Sequence, residues 1–247
     1  MVSLPPLAGR VGRGSRQPCD LGSIPRHTSR SVDTGPALSW ARVDPKEIVR
    51  AGYDTVSDAY RDDQGGGPAG LDIRYADWLA ELIPRLTPST RVLDLGCGCG
   101  LPTTKLLAER FRVTGVDFSP LQIERARRLV PRAQFLCADM TAIDFPRGSF
   151  DAVVSFYAII HVPQAEHRTV YAGIRRWLRP GGLFLATIGA MATTGIDDDY
   201  LGAPMYWSHP DLTTSLAWLA DLGFEVLWTR FIPEANTGHT LLLARSA

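Results

Sequence analysis

Hydrophobic positions follow two alternating rhythms from residue 44 onward. Short apolar runs at Val92–Leu95, Arg112–Val116, Ala133–Cys137, Phe150–Phe156 and Leu183–Ile188 read as strands. Between them, apolar residues recur every three or four positions, as on one face of a helix. Ser119, Pro120 and Gln122 supply a cap, a first-turn proline and a capping box for one such helix. In the helix Glu166–Leu178 the inward residues are Val170, Ile174, Trp177 and Leu178, and Arg179-Pro180-Gly181-Gly182 reads as its stop and a tight turn. Regular strand–helix alternation predicts an α/β fold with a parallel sheet covered on both faces. A last helix starts at Ser208, Pro210 and Asp211, carries Leu212, Leu216, Leu219 and Leu222, and closes at Gly223. Strands Glu225–Ile232 and His239–Ala244, joined by a turn-rich link at 233–238, complete seven strands.

Two helices precede the first strand. Asp44, Pro45 and Glu47 cap the first, where Ile48, Val49, Tyr53, Val56 and Tyr60 share a face and Gly52 is a point of weakness. Gln64–Pro68 forms a glycine-rich hinge. Trp78, Leu79, Leu82, Ile83 and Leu86 mark the second helix, ended by Pro84 to Pro88. Residues 1–40 lack periodicity and are rich in Pro, Gly, Ser and Arg, which predicts a disordered tail. The domain is then 41–247, with a helical cap at 41–88 and a layered core at 89–247. One stretch, 189–210, reads as a long irregular connection, the kind of loop that forms lids or substrate walls.

Chemistry concentrates at Val92–Thr103, VLDLGCGCGLPT. A strand carrying Asp94 breaks into Gly96, Gly98 and Gly100 and then a helix start, so backbone can approach a ligand closely while helix N–H groups face a carboxylate or phosphate. The third glycine comes one residue too early for a dinucleotide fingerprint, and the Gly-Lys-Ser/Thr of a P-loop is absent. Asp117 ends the second strand 21 residues beyond Gly96, at the distance where a carboxylate accepts ribose hydroxyls. Asp139 follows the third strand. After the fourth comes Tyr157-Ala158-Ile159-Ile160-His161, at the point where a doubly wound sheet opens its ligand crevice. His161 is thereby placed to act as a base, since histidine titrates near neutrality.

The Asp-x-Gly-x-Gly-x-Gly run, the three acids on successive strand ends and the LRPGG turn resemble the class I methyltransferases that use S-adenosylmethionine. The resemblance spans roughly residues 45–247. It implies a Rossmann-like, doubly wound, mostly parallel seven-stranded sheet with its last strand antiparallel and an amino-terminal helical lid. It also implies S-adenosylmethionine as cofactor: Asp94 for the methionine amino group, the loop at Gly96, Cys97, Gly98 and Gly100 for sugar and carboxylate, and Asp117 for the ribose. Asp139 and Met140 would take the adenine, with Phe118, Gln122 and Phe156 completing the set. Tyr53 and Tyr60 on the lid, Tyr157, and Tyr206 and Trp207 in the 189–210 stretch are the candidate substrate residues, pointing to an aromatic or apolar acceptor methylated on O, N or C.

Composition narrows the partners. The charges balance at 26 basic and 26 acidic residues, so the electrostatic case for nucleic acid or an anionic membrane is missing and a small-molecule acceptor is expected. No apolar run at the amino end suits a signal peptide, and four cysteines (Cys19, Cys97, Cys99, Cys137) at no zinc or redox spacing suit a cytoplasmic protein without a metal. A cyclase or a regulatory protein that keeps the cofactor without transferring its methyl would show the same motifs, so these alternatives stay open.

Overall fold

The computed structural model describes residues 43–67, 75–234 and 237–247. The expected tail at 1–40 and the end of the hinge at Pro68 lie outside them. Two helices come first, α1 (Pro45–Tyr60) and α2 (Tyr75–Leu82), followed by the core: β1 (Arg91–Leu95), α3 (Thr103–Ala108), β2 (Arg112–Asp117), α4 (Pro120–Leu129), β3 (Gln134–Cys137) and β4 (Phe150–Ser155). Then come α5 (His167–Trp177), β5 (Leu178–Gly189), β6 (Thr193–Tyr200), β7 (Ala203–His209), α6 (Leu212–Asp221), β8 (Phe224–Glu234) and β9 (Thr237–Ser246).

Seven strands form one sheet in the order β3-β2-β1-β4-β5-β9-β8, in which β9 runs antiparallel to both neighbours and the other pairings are parallel. Successive residues along each strand serve different cores. Val92, Ala152, Val154, Leu183 and Leu185 join α2, α3 and α4 on one side; Leu93, Leu95, Val153, Phe184 and Ala186 join α5 and α6 on the other. That two-sided burial explains the near-continuous apolar runs. Sheet growth reverses direction between β1 and β4, so a crevice opens at their carboxyl ends. Capping follows the sequence: Asp44 accepts from Lys46 N (3.0 Å), Ser119 from Gln122 N (3.0 Å) and Asp211 from Thr214 N (2.8 Å). No helix among the described residues is long and apolar enough to cross a membrane.

Three sequence expectations need correction. The stretch 189–210 is an antiparallel hairpin, β6 and β7, forming its own two-stranded sheet. Leu201 and Gly202 make its turn with φ of 55° and 94°, the mirror-image turn that matches strand twist. Its first strand is largely exposed and carries Gly195, Asp197, Asp198 and Asp199, residue types depleted in strands, which hides the pattern. Second, the LRPGG segment belongs to β5: Leu178 pairs with Phe150 and Leu183 with Ala152, so the residues between bulge outward around Gly181 at φ 75°. Third, Gly52 does not interrupt α1.

Gly52 instead lets α1 sit on the hairpin. A Cβ there would lie 2.6 Å from the Pro204 carbonyl oxygen and 3.0 Å from Met205 Cε, with Met205 itself fully buried. Gly52→Ala is therefore expected to lower stability by about 1–3 kcal/mol, the usual cost of overpacking, despite alanine's better helix propensity. Urea denaturation checks this; an unchanged or raised midpoint would contradict it.

Candidate functional site

The carboxyl ends of β1, β2, β3 and β4 floor a cavity of about 1040 Å³, counting the space at its mouth, and α1 covers it. The glycine loop forms part of that floor. Gly96 N and Cys97 N donate to Val116 O (2.7 and 3.0 Å), tying the loop to β2. Gly96 has φ 79° and a Cβ there would stand 2.1 Å from Ala158 Cβ, so no other residue fits. At Gly98, φ is 53° and nothing lies within 4 Å of where a Cβ would point, which leaves bare backbone beside open space.

The three acids stand around this floor in different states. Asp94 is 2 % exposed, and Thr104 Oγ1 donates to its Oδ2 at 2.5 Å. Burial raises its pKa to about 7, Thr104 opposes the shift and the Asp117 charge adds to it. Asp117 accepts from Gly98 N at Oδ2 (2.9 Å) and from Ser119 N at Oδ1 (3.0 Å). Burial pushes its carboxyl up as well, against those two amides. Asp139 accepts from Thr141 N and Oγ1 at Oδ1 (2.8 and 2.9 Å) and from Lys46 Nζ at Oδ2 (2.9 Å). Burial would raise it, but the Thr141 amide and the Lys46 ammonium outweigh burial and hold it below the usual carboxylate range. Beside them Gln122 Oε1 is buried with no hydrogen-bond partner among the described residues.

Helix α1 is fastened at both ends. Lys46 Nζ bridges Asp139, Thr141 Oγ1 (2.7 Å) and Glu166 (2.6 Å). At the other end Arg125 of α4, 6 % exposed, donates to Ser57 Oγ (2.5 Å), Arg61 O (2.7 Å) and Asp63 Oδ1 (2.9 Å). Between these ties Tyr53 faces the cavity.

His161 closes a short 3₁₀ turn, Ile159–His161, that follows β4. It is 4 % exposed, its Nε2 lies 2.9 Å from Tyr53 OH, and its Nδ1 lies 2.7 Å from Tyr206 O. The Trp207 ring packs on the imidazole with centroids 4.3 Å apart. Burial pushes His161 down to about 4, against the bond to the Tyr206 carbonyl and with help from His239 and His209. Tyr157 holds an unusual φ of 52°; its N–H donates to Thr187 Oγ1 (2.6 Å) and its OH to Glu234 Oε1 (2.5 Å).

Of the residues singled out in the sequence, Tyr53, Tyr60, Asp94, Gly96, Cys97, Gly98, Asp117, Phe118, Gln122, Asp139, Met140, Phe156, Tyr157 and His161 all line this one cavity. Gly100, Tyr206 and Trp207 stand outside the lining. Gly100 faces Val130 and Phe135 behind the loop, because its turn has already left the cavity floor. Tyr206 reaches the site only through its main-chain oxygen, and Trp207 through its stack on His161, because the hairpin lies behind that histidine. Lys46, Arg61 and Tyr75 line the cavity without having been singled out. Their signal is spatial, since α1 and α2 reach the site only by folding over it. Among the described residues no group of three or more His, Cys, Asp or Glu is arranged to hold a metal ion.

Comparison with known proteins agrees with this geometry. Residues 92–182, from the start of β1 into β5, match the family model of a methyltransferase domain. The chain is 42% identical over 131 residues to 2-methyl-6-phytyl-1,4-hydroquinone methyltransferase of a Synechocystis strain, covering 51% of this chain and 38% of the relative. To 27-O-demethylrifamycin SV methyltransferase of Amycolatopsis mediterranei it is 33% identical over 157 residues, covering 56% of each. It thus spans between about two fifths and just over half of these relatives' lengths. Among solved structures, magnesium protoporphyrin IX methyltransferase from Synechocystis with bound SAH superposes with a TM-score of 0.66 at 20% identity, covering 83% of this chain and 100% of the other. The chain is thus similar to methyltransferases in sequence over residues 92–182 and shares its fold with solved methyltransferase structures over most of its length.

Proposed function

We propose that this protein binds S-adenosylmethionine and transfers its methyl group to O, N or C of a small aromatic or apolar metabolite. One observation carries the reading. A buried carboxylate, Asp94, a half-buried one, Asp117, and the orphaned Gln122 Oε1 share a cavity with a bare glycine floor. Buried charge without a counter-charge is costly, and buried acceptors call for donors. A ligand bringing an ammonium and a pair of hydroxyls answers both demands.

In this reading Asp94 holds the amino group, Asp117 the ribose hydroxyls, and Gln122 takes a remaining donor. Cys97, Phe118, Met140 and Phe156 provide the apolar contacts. Asp139 accepts from the adenine amine as well as from Lys46, so the tie that fastens α1 also frames the adenine end. Helices α1 and α2 act as a lid that excludes water. When bound, the sulfonium supplies a methyl group already activated for transfer. The protein's part is then chiefly placement, which supplies roughly 7–11 kcal/mol in favourable model reactions. Tyr53, Tyr60 and Tyr157 wall the acceptor side, and His161 stands next to them as the base. The hydroquinone and rifamycin relatives support an acceptor with a ring system or hydroxyl. Incubation with labelled S-adenosylmethionine and a panel of phenols, amines and acids tests the reading: labelled product with S-adenosylhomocysteine is expected, and binding without label transfer would contradict it.

A pH dependence follows from Asp94. Its carboxyl in the free protein titrates at about 7, and an ammonium partner requires the ionised form. Donor affinity is therefore expected to be greatest above neutrality and to weaken about tenfold per pH unit below it, with a proton released on binding. Titration calorimetry in buffers of different ionisation enthalpy measures both; a constant affinity between pH ~8 and pH ~6 would contradict the assignment.

A further inference from the structure

We propose that Tyr53 is the group that takes the acceptor's proton, relaying it to His161, and that the acceptor therefore presents a hydroxyl on an aromatic ring. The proposal rests on the methyl-transfer reading and specifies its substrate class.

The hydrogen bonds fix the imidazole. A carbonyl only accepts, so the 2.7 Å contact with Tyr206 O puts the hydrogen on His161 Nδ1. Neutral imidazole then has a single lone pair, at Nε2, and the 2.9 Å partner of that lone pair is Tyr53 OH, which must donate. The base is thus capped, because a substrate proton cannot reach Nε2 without displacing or passing through the phenol. Tyr53 is the accessible end of the pair, half-buried and facing the cavity, while His161 is 4 % exposed beneath it. Having given its hydrogen to Nε2, the Tyr53 oxygen keeps lone pairs free to accept a hydrogen bond. Trp207 against the imidazole and Tyr60 against the Tyr53 ring, with centroids 4.3 and 5.3 Å apart, hold both partners in register.

The surroundings favour passing the proton on. Burial keeps the imidazole unprotonated before transfer, with its Nε2 lone pair available, and it pushes the Tyr53 phenol well above its ordinary value, so negative charge does not come to rest there. While the acceptor oxygen forms its bond to the methyl carbon, its O–H breaks toward Tyr53 oxygen, and the Tyr53 O–H breaks toward His161 Nε2. The carbon–sulfur bond of the sulfonium donor breaks with its electron pair left on sulfur. An aryl methyl ether, a neutral thioether and an imidazolium result, and the single positive charge has moved from sulfur to His161. An amine attacks through a lone pair it already has and gains nothing from such a relay at the moment of transfer. A hydroxyl gains most, which is why the arrangement points to that class. Tyr60, Tyr75 and Phe156 on the same cavity supply faces for the ring that bears it.

Tyr53→Phe keeps the ring and removes only the relay oxygen. Single-turnover rates with para-substituted phenols, from 4-methoxyphenol to 4-nitrophenol, are compared at a pH where only the latter is ionised. On the neutral phenol the variant is expected to be slower by about 10²-fold, and on the ionised one the deficit should shrink by at least about tenfold, since no proton remains to be moved. Equal deficits on both, or a wild-type enzyme that methylates amines from the same panel and no phenol, would overturn the proposal. A readout independent of turnover is nitrogen NMR of the histidine-labelled protein. It should show His161 protonated at Nδ1 with Nε2 as a hydrogen-bond acceptor, and the Nε2 signal should move toward that of a free acceptor in Tyr53→Phe. Protonation at Nε2 in the wild type overturns the relay by itself. Titration with S-adenosylmethionine separates the two levels: absent binding removes the methyl-transfer reading, whereas binding with the wrong tautomer removes only the relay.

Discussion

Asp117→Ala is expected to weaken S-adenosylmethionine binding by about 10²–10³-fold, which corresponds to roughly 3–4 kcal/mol. The carboxylate is positioned before any ligand arrives, held by Gly98 N at 2.9 Å and Ser119 N at 3.0 Å. Each oxygen retains a lone pair for a ribose hydroxyl, and hydrogen bonds to a charged group contribute about 1.5–3 kcal/mol each. The substitution removes both and also frees the Gly98 amide, so the glycine floor loses one of its ties to β2 and keeps those of Gly96 N and Cys97 N to Val116 O. Asp117→Asn, which keeps the shape and one acceptor, should fall between wild type and alanine. Titration calorimetry measures the loss, with thermal unfolding of the free variant as control for folding. A change of less than about fivefold would remove Asp117 from the donor site.

His161→Ala should act on turnover instead. A lost general base costs about 10²–10⁴-fold in rate, while donor affinity should stay within a small factor if, as proposed above, His161 serves the acceptor. The pH profile carries a matching signature. With burial holding its pKa near 4, the imidazole stays unprotonated throughout the neutral range, so the wild-type rate at saturating donor should not fall as pH drops through 6.5. The stability sign follows from the same shift. A group depressed in the folded state contributes stability that is present above its unfolded value of 6.5 and lost as the pH falls toward 4. A comparable loss of donor affinity and turnover in His161→Ala would contradict the division of roles.

Legibility in the sequence depended on distance along the chain. That Gly96, Gly98, Asp94 and Asp117 meet around one cavity was readable because strand ends in a parallel sheet converge on one crevice. The seven strands were readable because burial on both faces leaves near-continuous apolar runs. Lys46 was not, since its role is to bridge Asp139 and Glu166, residues 93 and 120 positions away. Nor was the hairpin, whose aspartates mask its pairing. Reading its aromatic residues as a substrate wall put Trp207 in the cavity; in the structure it braces His161 from behind. Gly52 looked like a breaker because propensity is local, whereas its purpose, contact with Pro204, is set by a strand some 150 residues on.

The central claim is that Asp94 and Asp117, set around a glycine floor, hold an adenosyl sulfonium. Titration calorimetry of the purified chain with S-adenosylmethionine, and separately with S-adenosylhomocysteine, at a pH above neutrality tests it most directly. Saturable binding of one molecule per chain is predicted for both. No binding heat with either ligand would contradict the account.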